Sequence, residues 1–403
     1  MSSYNSPHIR PIVITHALRT PIGKFLGTLS DMSCVDLGVS VVKDLLARAG
    51  IDAREVGSTI LGVGRQAGSG PNPARQVAVR AGIPIESPAW TMNMACASGL
   101  KTINLAADWI SLGRADVMVV GGMESMSSLP HMLPNFRKGY RLGHSKVVDG
   151  MYKDGFDCPL AEMVMGATAE NLARKYDITR EEQDNFALSS QHKSQAARAA
   201  GHFDDELSPV TVKTRKGELV FSADEHVRDD LKIESLQKLP TVFAKENGTV
   251  TPGNASGITD GAAALLVMTL DKAEALGLEP LAFVGHMSEA GVDPKIMGIG
   301  PVPVCRDLEK QSGLKIADYD LIELNEAFAA QVIACDRELG LPMDRVNVNG
   351  GAISLGHPIG ATGARIAVTL LHAMKRRGVE NGLATLCVSG GMGIGTTFHR
   401  TGL

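Results

Sequence analysis

The two ends of the chain repeat one another, and this repeat constrains the fold more than any other feature of the sequence. Residues 115–123, which end in Gly-Gly-Met, are echoed by residues 384–392, which end in the same three residues. A second echo joins residues 58–78 to residues 321–334. Because the echoed elements come in the same order, we predict two copies of one βαβ-rich unit related by a pseudo-twofold axis.

That axis has a chemical consequence. In each copy a helix precedes the echoed strand, and each helix opens beside a residue of a reactive type: Cys96 in the first copy and His357 in the second. Equivalent helix starts meet across a twofold axis. We therefore expect Cys96 to lie near His357.

Composition narrows the class of protein. With 403 residues the chain is long enough for two or three domains. A net charge of −4 gives no basic field for nucleic acid or for an anionic membrane. The six cysteines lie far apart and have no metal-ligand spacing, so neither a zinc site nor a disulfide framework is expected. The N-terminus has no basic region followed by a long apolar one, and a reducing cytoplasm is the predicted location.

Strands and helices alternate over the first third of the chain. Strands are predicted at residues 12–15, 58–62 and 115–120, and a helix at 37–49 is stopped by Gly50. This alternation predicts a mainly parallel sheet with helices on its faces.

The character of the sequence changes between residues 127 and 256. A loop-like, Pro- and Gly-containing stretch is followed by predicted helices at 163–175 and 181–200, with Thr179 as a helix cap, and by a polar β-like section at 209–220. A long insertion of this kind predicts a lid or substrate domain. Its basic group is either a solvated face or a site for an anionic cofactor tail; it consists of Arg137, Lys138, Arg141, Lys146 and Lys153.

The alternating pattern resumes in the last third. We predict helices at residues 260–270, 326–339 and 364–376, and a final strand at 383–388.

Residues 62–67 match the dinucleotide-binding fingerprint G-x-G-x-x-A, and Glu86 lies downstream at about the expected distance. The fingerprint requires a helix to open at once, but glycines and prolines intervene and the helix starts only near Ala74. A nicotinamide-dependent oxidoreductase is therefore an alternative that this pattern does not favour.

Cys96 lies among small residues, immediately before an amphipathic run at residues 100–112. We predict that it sits at the start of a buried helix, where free N–H groups and the helix dipole favour the nucleophilic thiolate. The competing interpretation is an ordinary buried cysteine.

Three further residues could complete a site around Cys96. His357, in a glycine-rich stretch, is either a polar turn residue or the base of a Cys–His pair. Cys387 ends the last strand, where open α/β sheets bind ligands, or is a buried strand residue. Asn325 follows another strand and either caps a helix or holds a water or carbonyl oxygen.

Taken together, the motifs around these four residues resemble those of the thiolases, the acetyl-CoA acetyltransferases and 3-ketoacyl-CoA thiolases. They are Asn-Met-Ala-Cys-Ala-Ser-Gly at residues 93–99, Asn-Glu-Ala-Phe at 325–328, Gly-His-Pro-Ile-Gly at 356–360 and Cys-Val-Ser-Gly-Gly-Met-Gly at 387–393. The resemblance implies a five-layered αβαβα fold. Its two related halves would comprise residues 1–126 with 257–279, and residues 280–403, and its loop domain residues 127–256.

The resemblance also implies roles. Cys96 would carry the acyl group, His357 would activate its thiol, Cys387 would move the α-proton of the second acetyl group, and Asn325 would hold a water against the thioester oxygen. The backbone amides of Cys96 and Ser389 would form an oxyanion hole. Contacts with coenzyme A or the acyl chain would come from Ser256, Arg228, Phe243, Met165 and Phe328. Val164 departs from the histidine found in short-chain members.

These observations predict a thiolase. It would catalyse a reversible ping-pong acyl transfer, with acetyl-CoA and acetoacetyl-CoA as the default substrates, and it would need no metal or redox cofactor. The family likeness suggests a homo-oligomer, a dimer or tetramer, with residues 134–142 as a tetramer contact. The alternatives are a condensing ketosynthase, which would carry a second histidine in place of Cys387, the oxidoreductase above, and a non-catalytic acyl-CoA-binding protein.

Overall fold

The structure of the protein is a computed structural model that describes residues 10–401. The predicted strands at the N-terminus, the helix that ends at Gly50 and the helix after Cys96 are confirmed. The elements up to the insertion are β1 (Ile12–Arg19), β2 (Gly23–Lys24), α1 (Cys34–Ala49), β3 (Ser58–Gly62), α2 (Pro73–Arg80), β4 (Ala89–Met92), α3 (Ser98–Ser111) and β5 (Val117–Ser125).

The inserted segment combines short strand pairs with two long helices. Thr179 caps the longer helix through a capping box with Glu182, as predicted for that residue, and the polar section at 209–220 is a β-hairpin. Its elements are β6 (His131–Met132), β7 (Val148–Asp149), β8 (Asp157–Cys158), β9 (Met163–Val164), α4 (Met165–Lys175), α5 (Arg180–Ala199), β10 (Val210–Thr214), β11 (Gly217–Phe221) and α6 (Ile233–Gln237).

The last part of the chain returns to long strands and buried helices. Its elements are β12 (Thr259–Thr269), α7 (Leu270–Ala275), β13 (Ala282–Gly291), α8 (Pro301–Ser312), β14 (Leu321–Leu324), α9 (Ala329–Leu339), α10 (Ala352–Leu355), α11 (Ile359–Arg377), β15 (Asn381–Val388) and β16 (Met392–His399). None of the helices within residues 10–401 is long and apolar enough to cross a membrane.

The helix predicted at residues 260–270 is wrong, because this stretch forms strand β12. Every residue of β12 is buried. Alternate side chains face two different apolar cores, Leu265 one of them and Leu266 the other. A strand that is buried on both faces is apolar throughout, and periodicity alone cannot distinguish it from a buried helix.

The main sheet runs in the order β14-β15-β16-β13-β1-β12-β5-β3-β4. The prediction of a mainly parallel sheet is wrong for this sheet as a whole. Among the strands described between residues 10 and 401, only β3 with β4, β3 with β5, and β14 with β15 pair in parallel. The pairs that involve β1, β12, β13 and β16 are antiparallel. A parallel neighbour needs a crossover connection, but β16 follows β15 through a tight turn and β12 follows the long insertion.

The predicted repeat is present in the order of the strands but not in the register of the echo, because residues 121–123 lie inside β5 whereas residues 390–392 follow the end of β15. In the first half β3 lies parallel to β5, β5 antiparallel to β12, and β12 antiparallel to β1. In the second half β14, β15, β16 and β13 repeat these pairings in the same order and directions. The halves join where β1 pairs with β13.

Three layers of helices enclose these two half-sheets. Helices α3 and α11 lie between them and share one core with the inward faces of both. Helices α1 and α2 cover the outer face of the first half, and α8 and α9 cover the outer face of the second. The predicted five-layered αβαβα fold is confirmed.

The two central helices touch backbone to backbone close to their N-terminal ends. A Cβ atom added to Gly99 of α3 would overlap the backbone nitrogen of Ala364, and one added to Gly363 of α11 would overlap the backbone nitrogen of Leu100. This reciprocal contact is what a pseudo-twofold axis between the helix starts requires. Only glycine permits it at both positions.

The insertion between β5 and β12 is tied to the first half by a buried ion network. The Arg19 side chain of β1 donates to Glu206 at 2.6 Å and to Asp224 at 2.7 Å, and all three residues are buried. We propose that residues 127–256 form a loop domain that covers the junction of the two halves.

Candidate active site

One cavity of about 480 Å³ opens where the starts of α3 and α11 meet the insertion. Nearly all the predicted site residues line it: Cys96, His357, Cys387, Ser389, Ser256, Arg228, Phe243, Met165 and Phe328. Asn325 is the exception, although Ala327 and Phe328, which follow it closely, belong to the cavity wall.

Cys96 sits in a short 3₁₀ turn immediately before α3. The preceding residue, Ala95, adopts a left-handed backbone conformation with φ of +47°. Ser98 fixes this turn, because its hydroxyl donates to the Ala95 carbonyl at 2.7 Å and accepts from the Met94 amide at 2.9 Å. A non-glycine residue in this conformation costs about 1–2 kcal/mol. Such local strain is typical of sites where a side chain must be held in a fixed direction.

The predicted thiolate at Cys96 is not the resting state. Burial raises the pKa of the Cys96 thiol above its usual value. The Arg65 guanidinium and the backbone amides of Ser389 and Cys96 lower this pKa, but their effect is smaller than that of burial. The helix start therefore supplies hydrogen-bond donors around the sulfur without ionising it, and Cys96 needs a base.

His357 has the protonation state that a base requires. Burial, with the charges of Arg65 and Arg365, lowers the pKa of His357 to about 3, so the imidazole is neutral at pH 7. Its Nδ1 lies 2.6 Å from the Thr362 hydroxyl oxygen, and that hydroxyl donates to the Pro358 carbonyl at 2.9 Å. Because the hydroxyl has one proton and has already donated it, it accepts from Nδ1–H. We assign this tautomer from the network, and it leaves the Nε2 lone pair free.

Cys387 lies at the end of β15 and is 1% exposed. It packs in a small apolar cluster with Met297 and Ala327, against which Met165 and Phe328 also pack. Burial, and next the nearby charge of a Cys96 thiolate, raise the pKa of the Cys387 thiol well above its usual value. At neutral pH both cysteines are therefore thiols.

Asn325 follows β14, and its backbone amide donates to the Thr385 carbonyl of β15 at 3.0 Å. Its side chain is buried, and neither the amide oxygen nor the amide nitrogen has a hydrogen-bond partner within residues 10–401. A buried amide with both groups unpaired is rare and is typical of a ligand or water site.

The insertion supplies the wall opposite the catalytic residues. The rings of Phe243 and Phe328 meet edge to face with centroids 6.3 Å apart, and Phe243 packs directly on Gly166. Ser256 is held in place because its amide donates to the Ala327 carbonyl at 3.0 Å. Arg228 is exposed on this wall, where a charged ligand tail could reach it. The five residues of the predicted basic group are exposed, and none of them lines the cavity.

Two charged residues, Glu124 and Arg65, were not among the predicted site residues, although Arg65 lies in the 62–67 motif and Glu124 directly follows the echoed residues 115–123. Glu124, which ends the Gly-Gly-Met-Glu stretch, accepts from the amides of Gly64 at 2.9 Å and Gly360 at 2.8 Å. Burial raises the pKa of its carboxyl to about 7. Arg65 occupies a variable position of the apparent dinucleotide fingerprint and lines the cavity.

The glycines of that fingerprint have a different purpose. A Cβ atom on Gly62 would lie 2.9 Å from the Gly360 carbonyl oxygen, and one on Gly64 would lie 2.7 Å from the Ile359 side chain. They make room for the starts of α3 and α11, since the Cβ on Gly62 would also lie 2.7 Å from Ser98, and the next helix along the chain begins only at Pro73. The stretch therefore does not form the strand-turn-helix unit of a dinucleotide site.

Comparisons with known proteins identify the family of the chain. The family model described as "Thiolase, N-terminal domain" matches residues 12–271, and the model described as "Thiolase, C-terminal domain" matches residues 278–400.

The chain belongs to the thiolase family.

Similar relatives and structures cover nearly the whole of this thiolase. The acetyl-CoA acetyltransferase of Pseudomonas aeruginosa is 51% identical and aligns with 97% of this chain and 100% of its own. The crystal structure of the Bacillus anthracis acetyl-CoA acetyltransferase is 46% identical with a TM-score of 0.95 and covers 98% of this chain and 100% of its own. Human mitochondrial 3-ketoacyl-CoA thiolase in complex with CoA is 40% identical with a TM-score of 0.94 and covers 99% of this chain and 100% of its own.

These relatives confirm the prediction of an acyltransferase of the thiolase class. They give no support to the nicotinamide-dependent oxidoreductase. Within residues 10–401 no group of three or more His, Cys, Asp or Glu side chains could hold a metal ion.

Proposed function

We propose that this thiolase forms and cleaves 3-ketoacyl-CoA by a ping-pong route through an acyl-Cys96 intermediate. In one direction two acetyl-CoA molecules would give acetoacetyl-CoA and CoA, and in the other CoA would cleave a 3-ketoacyl-CoA. The names of the similar proteins support these substrates. The observation that carries the proposal is the convergence of Cys96, His357 and Cys387 on one cavity.

The first step is acyl transfer to Cys96. The free Nε2 of neutral His357 accepts the thiol proton as the sulfur attacks the thioester carbonyl of the acyl-CoA. Coenzyme A leaves as a thiol once His357 returns that proton. The amides of Cys96 and Ser389, which surround the sulfur, are the donors for the oxygen that becomes negative at the carbonyl next to it.

The second step forms the carbon–carbon bond. His357, neutral again, first takes the thiol proton of Cys387, which leaves a Cys387 thiolate and an N–H on Nε2 of His357. The Cys387 thiolate removes the α-proton of a second acetyl-CoA, and the resulting carbon attacks the acyl group on Cys96. The departing Cys96 sulfur takes the proton back from His357. The enolate oxygen would be held by His357 and by a water bound to Asn325. Burial makes the Cys387 thiolate a stronger base than an exposed one, and this suits a weakly acidic C–H bond.

Coenzyme A thioesters are substrates in this scheme, and the residues named supply every proton transfer without a metal or redox cofactor. We further propose a cytoplasmic homo-oligomer, a dimer or tetramer, that acts in fatty acid metabolism. The described cysteines are all free, which suits a reducing compartment. The 134–142 segment exposes Phe136 by 67% and Leu142 by 99%, which suits a subunit contact.

Mass spectrometry of the intact protein and its peptides after incubation with acetyl-CoA alone tests the proposal. We expect one acetyl group on the Cys96 peptide, removed by free CoA, and none in Cys96→Ala. If acyl donors of every chain length left Cys96 unmodified in protein that binds CoA, the acyl-Cys96 route would be wrong.

A further inference from the structure

Arg65 is a buried cation at the catalytic end of the cavity that the proposed reaction does not use. It follows β3, is 3% exposed, and lines the same cavity as Cys96 and His357. Its charge is close enough to lower the pKa of both residues. The guanidinium therefore shares the cavity with any acyl group carried by Cys96.

The guanidinium is held in position, and no residue between 10 and 401 forms an ion pair with it. Burial lowers its pKa, and the charges of Glu124 and of Asp154 on the cavity wall raise this pKa by less than burial lowers it. It rests on the backbone of Gly155, where an added Cβ would overlap its Nε and Nη2 atoms, and lies 5.2 Å from the centroid of the Phe156 ring. Its Nε and Nη1 atoms are buried and have no hydrogen-bond partner within the described part of the chain.

The nearest buried carboxylate, Glu124, does not pair with it. The oxygens of Glu124 accept from the backbone amides of Gly64, Arg65 and Gly360. An unpaired buried charge is costly, and arginine prefers a carboxylate or phosphate that it can bind with two parallel hydrogen bonds. The free N–H groups of Arg65 therefore suit an anionic part of a ligand.

Coenzyme A does not explain this arginine. The cavity is also lined by Arg228, which is exposed on the wall formed by the insertion and is placed to meet the charged tail of the coenzyme. Arg65 is instead buried and lies close to the nucleophile. An acetyl group there is neutral and offers no partner for a guanidinium.

We propose that Arg65 binds a carboxylate at the far end of the acyl chain carried by Cys96, so that the substrates include 3-ketoacyl-CoA with a terminal carboxylate. This inference rests on the proposed thiolase reaction. Cys96 attacks the 3-keto carbon and the bond between C2 and C3 breaks. The released carbanion takes a proton from Cys387 and becomes acetyl-CoA, and CoA then removes the carboxylated acyl group from Cys96.

Kinetics with matched substrates test the proposal. The pair is a six-carbon 3-ketoacyl-CoA that ends in a carboxylate and 3-ketohexanoyl-CoA, which ends in a methyl group. For the wild-type enzyme we expect kcat/KM to favour the carboxylated substrate by about 10- to 100-fold, the range of a hydrogen-bonded charge pair. In Arg65→Leu this preference should disappear, whatever loss the two substrates share.

Two further variants guard against misfolding and non-specific charge effects. Gly155→Ala keeps the charge but displaces the guanidinium, and it should also reduce the preference. Arg215→Leu, at the exposed turn between β10 and β11, removes a cation far from the cavity and should leave the preference unchanged.

The outcomes separate this inference from the proposed function. Equal use of both substrates by the wild-type enzyme would overturn it, and so would an equal loss for both in Arg65→Leu, which would instead assign Arg65 to support of the Cys96 thiolate. In both cases cleavage of acetoacetyl-CoA would show that the thiolase reaction stands. If no 3-ketoacyl-CoA were cleaved and Cys96 took no acyl group, the proposed function itself would fail.

Discussion

The two halves of the molecule place different reactive residues at the same point of one repeated frame. In the first half the start of α3 follows a strained turn that presents Cys96. In the second half the start of α11 follows His357, whose Nδ1–H is fixed by Thr362. Burial acts on both but in opposite directions, since it raises the pKa of the thiol and lowers that of the imidazole. The repeat supplies proximity, and burial keeps both residues neutral until substrate arrives.

The halves differ most at the carboxyl-terminal ends of β5 and β15. Val117 begins β5 at the same interval after Gly99 as Asn381 begins β15 after Gly363, so Met123 is the structural counterpart of Cys387. Met123 is a core residue that packs with α1, whereas Cys387 lines the cavity. One strand position thus serves packing in one half and proton transfer in the other.

The largest effect should follow removal of the base. His357→Ala should lower the rate of acyl transfer to Cys96 by about 10³- to 10⁴-fold, because the thiol loses its proton acceptor in a buried site. Rapid-quench measurement of acetyl-Cys96 formation checks this. The acylation rate of an enzyme with His202→Ala, a histidine outside the cavity lining, should match the wild-type rate. A loss of less than tenfold in His357→Ala would mean that another group takes the proton.

Cys387→Ala should separate the two half-reactions. The carbon–carbon step should fall by about 10²- to 10³-fold, because the α-proton has no acceptor. Exchange of labelled CoA into acetyl-CoA needs only Cys96 and His357 and should stay within about fivefold of wild type. Equal losses in condensation and exchange would assign Cys387 to the acylation step. They would contradict a separate role for Cys387 in proton transfer at the α-carbon.

Gly363→Ala tests the contact on which the pseudo-twofold depends. A Cβ there overlaps the first turn of α3, so the free energy of unfolding should fall by about 1–3 kcal/mol or more. Gly261→Ala is the matched control, because its Cβ would meet only side-chain atoms, at 3.5 Å or more. Urea unfolding followed by circular dichroism measures both. Equal stability of the two variants would show that the helix starts are not in close contact.

How much of this could be predicted from the sequence depended on whether the signal was local. The motifs around Cys96, Asn325, His357 and Cys387 are local patterns, and their resemblance to the thiolases predicted the five-layered fold and the site residues that line the cavity. The alternation of strands and helices alone predicted a mainly parallel sheet, which was wrong. Strand β12 was missed because a strand buried on both faces has no period of two. The neutral thiol of Cys96 and the unpaired guanidinium of Arg65 could not be predicted. The first depends on burial, and the second on Glu124 accepting from backbone amides instead, and both involve residues far apart in the sequence.

Thr362→Val should sharpen the assignment of the base. Without the hydroxyl acceptor the Nδ1–H tautomer of His357 loses its partner, and we expect acylation of Cys96 to slow by about tenfold. Thr362→Ser keeps the hydroxyl and should restore most of the rate. If Thr362→Val acylates as fast as Thr362→Ser, the tautomer is fixed by something else.

The smallest expected effect is a kcat/KM that barely changes with pH. It distinguishes His357 from Glu124, the two titrating groups beside the start of α11. His357, with a pKa lowered to about 3, stays neutral when the pH falls from 7 to 5.5, so it contributes no acid limb to kcat/KM. Glu124, with a pKa raised by burial to about 7, takes up a proton in this window and weakens as the acceptor for Gly360.

Any decline of the wild-type enzyme towards pH 5.5 should therefore belong to Glu124. In Glu124→Gln, kcat/KM should change by less than about twofold between pH 7 and 5.5. The lowered pKa of His357 also makes the free energy of unfolding depend on pH. Its pKa is lower in the folded chain than in the unfolded one, so the unfolded chain binds the proton more tightly. The stability that neutral His357 contributes is therefore complete above pH 6.5, its ordinary pKa, and is lost as the pH falls towards 3. An acid limb near pH 6.5 that persists in Glu124→Gln would contradict both the low pKa of His357 and the neutral Cys–His pair inferred from the two helix starts.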